Sequence, residues 1–319
     1  MFSRMIEKAF RKAVYTRADD NGSIFYFSSD DFEGLHKKEY TVKSVKGHLL
    51  KGYFYFYDGY EENRLIIFEH GMGSGHRGYM KEIELICREG YLVFSYDHTG
   101  CMESGGDTTG GFLHSLIDLN DVICAIKNDD TYRSLQISVV GHSWGGFSAL
   151  NISALHPEIK HSVGIAGFSS VKRITDQFFS GMLSFAGNRI LKNIIADDPD
   201  FARFDVHETL QTTNTRVLYI MSDDDPTVSC DIHFMPVQNS VKRDNIKFLK
   251  VSGKRHNPNY TEDAVKYKDA FFAEYTHALK KKQLETPDLR QAFKEKYDWN
   301  RMTAQDMCVW KEIFDFLKS

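Results

Sequence analysis

The sequence predicts an α/β fold, a mostly parallel sheet with helices packed on both faces. Three observations point there. Short apolar runs alternate with helix-period stretches from residue 65 to 166, in the order β-α-β-α-β-α-β, as in parallel strands joined by crossover helices. Polar, glycine-rich loops follow three of those strands, at 70–76, 97–106 and 141–146. Ligands of such sheets bind beyond the carboxyl ends of the strands, where these loops lie. The bulk is ordinary globular chain, 319 residues with 42% hydrophobic and 26% charged, enough for one large α/β domain or two small ones.

Taken in order, residues 2 to 14 read as an amphipathic helix. Phe2, Met5, Ile6, Ala9, Phe10, Ala13 and Val14 recur at helical spacing. Such a helix docks on the body or on a second copy of the chain; a surface anchor on a membrane is the sharper alternative. Residues 17–36 are polar and irregular around an apolar island at 25–27. Runs at 39–45 and 49–57 alternate as a β-hairpin, with Lys46-Gly47 at the turn. Leu65-Ile66-Ile67-Phe68 and Tyr91-Leu92-Val93-Phe94-Ser95-Tyr96 are continuous apolar runs, as in strands buried on both faces. A helix with Ile83 and Ile86 separates them. Phe112, Leu116, Leu119, Ile123 and Ile126 mark the next helix. Strands follow at 136–140 and 162–166. Residues 168–208 break the rhythm, with apolar residues at helical spacing and no strand. They read as a small helical cap over the site, or as an ordinary crossover helix with a long loop. Strands resume at 216–221 and 246–251, and helices close the chain. The domains expected are thus 1–36, a core of 37–167 with 209–319, and the cap.

The formal charge of -4 leaves no basic footprint for nucleic acid. No apolar stretch reaches the ~20 residues of a membrane span. Five widely spaced cysteines without a C-x-x-C indicate neither a disulfide framework nor a zinc site, and suit a reduced cytoplasmic setting. No metal or organic cofactor is called for.

The chemistry centres on Gly141-His142-Ser143-Trp144-Gly145-Gly146, between an apolar strand and a small-residue helix. A G-x-S-x-G turn there projects the serine oxygen above the sheet edge. A serine hydroxyl needs a base, and the base an orienting group. Beyond Ser143, one strand ends in Ser222-Asp223-Asp224-Asp225 and the last in Gly253-Lys254-Arg255-His256. One of the three acids orienting His256 would complete the set.

Here the chain resembles the α/β-hydrolase superfamily, in its esterase, lipase and serine-aminopeptidase-like branches, over roughly 39–278. Ser222-x-x-Asp225-x-x-Val228 is similar to the family's G-x-x-D-x-x-V, which implies Asp225 as the acid. Gly253-x-x-His256 resembles the histidine loop. His70-Gly71-Met72-Gly73 resembles the H-G-x-G oxyanion loop, which implies the backbone N–H groups of Met72 and Trp144 as donors. His70 then braces that loop or borders the pocket. The loop at Asp97 keeps Asp97, Gly100 and Ser104 but lacks the family's arginine and second glycine, so its bracing must differ.

The resemblance implies acyl transfer through Ser143, His256 and Asp225. A carboxylic-ester hydrolase acting on a small-molecule substrate is the first expectation. An aminopeptidase-like serine peptidase is the second, and a non-catalytic binding protein on the same scaffold the third. The pocket is expected to draw on His70, Cys101, Phe178, Phe179 and Met182. The N-terminal helix is the candidate contact for a homodimer.

Overall fold

The computed structural model describes residues 2–319, with side chains from Arg4 onward. The hairpin is β1 (His36–Lys43) and β2 (Leu49–Phe56), antiparallel with Val42 opposite Leu50. Six further strands follow: β3 (Arg64–Glu69), β4 (Leu92–Tyr96), β5 (Gln136–His142), β6 (His161–Ile165), β7 (Arg216–Ser222) and β8 (Ile246–Val251). All join one eight-stranded sheet in the order β1-β2-β4-β3-β5-β6-β7-β8. From β4 to β8 every pairing is parallel, and β2 runs antiparallel to β4. The strand order reverses between β4, β3 and β5, which puts the loops after β3 and β5 side by side.

The continuous apolar runs make sense because both faces are covered. Leu65 and Ile67 of β3, Val139 of β5, and Val217 and Tyr219 of β7 point into one core. Ile66, Phe68, Val140, Leu218 and Ile220 point into the other. The helices in chain order are α1 (Phe2–Tyr15), α2 (Met80–Arg88), α3 (His114–Asn128), α4 (Trp144–Asn151), α5 (Val171–Phe178), α6 (Ser184–Asp197), α7 (Pro199–Ala202), α8 (Val206–Thr212), α9 (Met235–Ser240), α10 (Glu262–Lys280), α11 (Pro287–Lys294), α12 (Trp299–Met302) and α13 (Met307–Lys318). The first core takes side chains from α3, α4, α6 and α8, and the second from α2 and α13. Five fully buried apolar residues of α3 and α4, Leu116, Leu119, Ile123, Phe147 and Leu150, stabilise this docking by about 2 kcal/mol each in transfer terms.

The N-terminal helix docks on its own body. Phe10 and Val14 enter the first core, and Phe10 meets Phe179 edge-on at 5.6 Å between ring centres. Glu7 accepts from Arg189 at 3.0 Å and Asn193 at 2.7 Å on α6. The side chain of Phe2, counted in the apolar stripe, lies outside the described residues. Among the described residues no helix is long and apolar enough to cross a membrane. A wide helical turn at Cys230–Phe234 leads into α9, in a stretch to which the sequence assigned no element.

Candidate active site

Ser143 sits between β5 and α4 with φ 56 and ψ −112, a left-handed conformation that a non-glycine residue adopts only under constraint. The constraint is visible. Its N–H donates to Ile165 O at 2.8 Å, and Gly145 packs so close to β3 that an added Cβ would lie 2.3 Å from Glu69 O. The incoming loop is equally near, since a Cβ on Gly71 would lie 3.3 Å from Ser143 Cβ. The strain fixes the hydroxyl above the sheet edge.

The structure brings Ser143, His256 and Asp225 into one chain of hydrogen bonds. His256 Nε2 is 2.8 Å from Ser143 Oγ, and Nδ1 is 2.7 Å from Asp225 Oδ2. A carboxylate only accepts, so Nδ1 carries the proton and Nε2 accepts from the hydroxyl. Asp225 is itself fixed, its Oδ1 accepting from Thr227 N at 2.8 Å and Val228 N at 3.0 Å.

The neighbouring acids have separate tasks. Asp224 Oδ1 accepts from Ser222 Oγ at 2.5 Å and from Arg255 N at 3.0 Å. Asp223 Oδ2 accepts from Ser252 Oγ at 2.6 Å. Ser222, standing where the family pattern has glycine, also accepts from Lys254 N at 3.2 Å. Asp223 and Asp224 therefore latch the acid loop to the histidine loop, which explains three consecutive carboxylates in one turn.

Met72 borders the cleft beside Ser143, and Trp144 opens α4. Among the described residues neither backbone N–H has a protein acceptor. The Trp144 side chain is anchored separately, its indole N–H donating to Phe112 O at 2.8 Å.

His142, the variable residue of the elbow, was not singled out by sequence reasoning. Its Nε2 lies 2.7 Å from His256 O, which can only accept, so Nε2 carries the proton. Nδ1 accepts from the Tyr79 hydroxyl at 2.8 Å, and that oxygen accepts from Gly71 N at 3.1 Å. One chain of hydrogen bonds thereby ties the loop after β3, the elbow and the histidine loop together. Burial and the nearby His256 hold the His142 imidazole far below its usual pKa, in the neutral form this chain requires.

The expected pocket residues lie elsewhere. His70 is fully buried and braces, its Nε2 accepting from His98 N at 3.0 Å and its Nδ1–H donating to Gly71 O at 2.7 Å. Burial and His98 push it down to about 3. Cys101 is fully buried, and burial drives its thiol up to about 12. Phe179 packs inward on Phe10, whereas Phe178 and Met182 face solvent, at 46% and 93% exposed. None of the five lines the cleft. Residues 168–208 are helical as expected but contribute nothing to its lining. The segment reaches the site loops through α5, where Gln177 donates to Thr227 O at 2.9 Å and accepts from Ser229 N at 3.0 Å. The helical spacing of that segment serves the first core instead, through Val171, Ile174, Ile190 and Ile194.

The walls come from opposite ends of the chain. A cleft of 550 Å³ contains Ser143 and His256 and is bordered by residues 24–27 and by Phe271, Phe272, Trp299 and Met302. That volume suits a small organic ligand. The apolar island at 25–27 was the available signal for one wall.

The loop at Asp97 replaces the family's bracing with several shorter ties. Thr99, in the arginine's position, bonds to Asp118 through its N–H at 2.7 Å and its hydroxyl at 2.9 Å. Asp97 accepts from His76 N and Nδ1, both at 2.8 Å, and from Glu103 N at 3.0 Å. Burial opposes its ionisation, yet His76 holds the carboxyl down at about 2. A guanidinium does reach the loop, from Arg17, which donates to Met102 O at 2.5 Å, Gly106 O at 2.7 Å and Ser104 O at 2.9 Å.

Comparison with known proteins agrees with this architecture. The family model described as serine aminopeptidase, S33, matches residues 60–228, more than half of the chain. The protein YqkD of Bacillus subtilis (strain 168) is 30% identical over 159 residues, 49% of this chain and 50% of YqkD. The matched stretch therefore spans about half the length of that relative. Among solved structures, the esterase Pf2001 of Pyrococcus furiosus superposes with a TM-score of 0.58 at 17% identity, over 84% of this chain and 96% of that one. Est1E of Butyrivibrio proteoclasticus, solved with ferulic acid bound, superposes with a TM-score of 0.55 at 18% identity, over 73% of this chain and 98% of that one. At such identities the likeness is one of fold.

Proposed function

The chain belongs to the serine aminopeptidase S33 family of α/β-hydrolases, and on that premise we propose that it hydrolyses carboxylic esters through an acyl-enzyme on Ser143. The observation that carries this reading is the Ser143–His256–Asp225 chain, with contacts of 2.8 and 2.7 Å. His256 Nε2 takes the hydroxyl proton as Oγ attacks the carbonyl carbon. Asp225 holds the imidazole tautomer and stabilises its charge. The N–H groups of Met72 and Trp144 donate to the oxyanion, a contribution of about 3 kcal/mol each in known cases. His256 then returns the proton to the leaving oxygen. Water, activated by the same imidazole, releases the acid and frees Ser143.

The aromatic walls of the cleft, Phe25, Phe27, Phe271 and Trp299 among them, suit an acyl or aryl group. A peptidase reading has one observation in its favour. An adjoining cavity of 280 Å³ shares Tyr26, Ser74 and Arg77 with the cleft and is bordered by Asp19, Asp20 and Glu103, acids of the kind that bind a substrate ammonium. A panel of p-nitrophenyl esters against aminoacyl p-nitroanilides decides between them. The ester reading expects kcat/KM higher for the esters by at least a hundredfold after correction for intrinsic reactivity. Preference for the anilides would overturn it.

A further inference from the structure

Lys268 on α10 borders the same cleft as Ser143 and His256. Its ammonium donates to Asn257 Oδ1 at 2.8 Å and lies 4.8 Å from the centre of the Tyr260 ring. Among the described residues no carboxylate forms an ion pair with it. Asp269, the acid bordering this cleft, is held by Arg255 at 2.9 Å. Glu82 and Asp269 act on Lys268 only through space, without contacting its ammonium. The other cation on the wall, Arg77, also borders the adjoining cavity together with Asp19, Asp20 and Glu103. Lys268 is thus a cation of the cleft wall with no contacting carboxylate among the described residues.

An ammonium has three N–H donors, and a neutral amide satisfies one of them. Burial pushes the pKa of Lys268 down from the ordinary lysine value, while the residue keeps partial exposure at the cleft. A cation in this position gains most from an anion, because charge-assisted hydrogen bonds are the strong ones and a low local dielectric amplifies them. Its place relative to the reaction follows from Asn257, the chain neighbour of His256. His256 must meet the leaving oxygen in order to protonate it, and Lys268 stands on the His256 side of the same cleft.

We propose that Lys268 anchors a carboxylate on the leaving-group side of the substrate, so that the esters this chain prefers carry a negative charge on the alcohol. This rests on the serine-hydrolase reading above. It also assigns a polarity to the cleft that the chain's overall charge of -4 conceals.

The test compares 4-acetoxybenzoate with 4-acetoxybenzamide, which share an acetyl group and differ in the charge of the leaving phenol. The wild-type chain is expected to show a kcat/KM about tenfold higher for the carboxylate, the effect of one charged hydrogen bond. Lys268→Met should collapse that ratio toward one, and Lys268→Arg should keep most of it. Equal rates on the two esters in the wild type would overturn the role of Lys268 while leaving the hydrolase reading intact. So would a Lys268→Met variant that slows both esters by the same factor, as a purely structural lysine would. Failure of the folded wild type to turn over either ester would overturn both readings.

Discussion

Removing the His142 imidazole would strand two buried partners, the Tyr79 hydroxyl and the His256 carbonyl. Each unpaired buried group costs about 1–3 kcal/mol, and here the loss falls on the alignment of His256. His142→Ala is expected to lower kcat by about 10- to 100-fold with KM within a few fold, measured by steady-state ester hydrolysis. Because this imidazole is neutral throughout, the pH profile of the remaining activity should not move. A raised KM with kcat unchanged would place His142 in substrate binding instead. This residue was illegible in the sequence because the elbow pattern leaves its position free. Its role comes from Tyr79 and from a backbone carbonyl far along the chain. Ser143, Asp225 and His256 were legible because each follows its own strand within a short motif. The resemblance, rather than local chemistry, separated Asp225 from Asp223 and Asp224. The structure supplies the physical difference: the other two acids are occupied by Ser252, Ser222 and the Arg255 N–H.

The elbow and its neighbouring strand are fitted backbone to backbone. Gly145→Ala would place a Cβ 2.3 Å from Glu69 O and 2.6 Å from Glu69 Cβ, and β3 cannot retreat within a packed sheet. A loss of about 3 kcal/mol or more is expected, read as a lowered urea midpoint. A change under about 1 kcal/mol would mean that the elbow is more pliant than its packing indicates. The loop at 97–106 gives a second test. Arg17→Met removes three donors to its carbonyls, so amide exchange at residues 102–106 should speed up by at least tenfold while exchange in β4 stays slow. Strands and most helices were legible because apolar runs and 3.6-residue stripes report burial directly. The cap was misplaced for the same reason. The stripe of Val171, Ile174, Ile190 and Ile194 reports that a face is buried, but not which surface buries it. The cleft walls were hidden because Phe25, Phe27, Phe271 and Trp299 meet only through the tertiary fold.

Across the whole molecule, buried titratable groups set the acid response. Burial holds His70, His98 and His233 neutral, with pKa values of about 3. Each depressed value favours the folded state fully above the free value of about 6.5 and loses that advantage as pH falls toward 3. Glu69, Glu82 and Asp118 are raised by burial. Their contribution has the opposite sign, present at low pH and lost as pH rises through the folded values. As pH rises above about 4.5 the two sets act in opposite directions. Below about pH 4 the unfolded carboxyls are protonated as well, and the histidines then act together with acids held low in the folded state, Asp97 at about 2, Asp224 and Asp306 among them. Stability should then fall by up to about 4 kcal/mol per pH unit from the three histidines. Urea unfolding across the pH series checks this. A steady decline starting at pH 6.5 would mean that the buried carboxyls are ionised in the folded state.

The central claim is that His256, oriented by Asp225, activates Ser143. Covalent labelling by a fluorophosphonate, followed by intact mass and peptide mapping, reads that claim without any knowledge of the substrate. Folded wild-type chain is expected to gain one adduct, on Ser143, with the rate lowered by at least about a thousandfold in His256→Ala and in Asp225→Asn, and no adduct in Ser143→Ala. Labelling at another residue, or a Ser143 rate that is the same in wild type, His256→Ala and Asp225→Asn, would contradict the account.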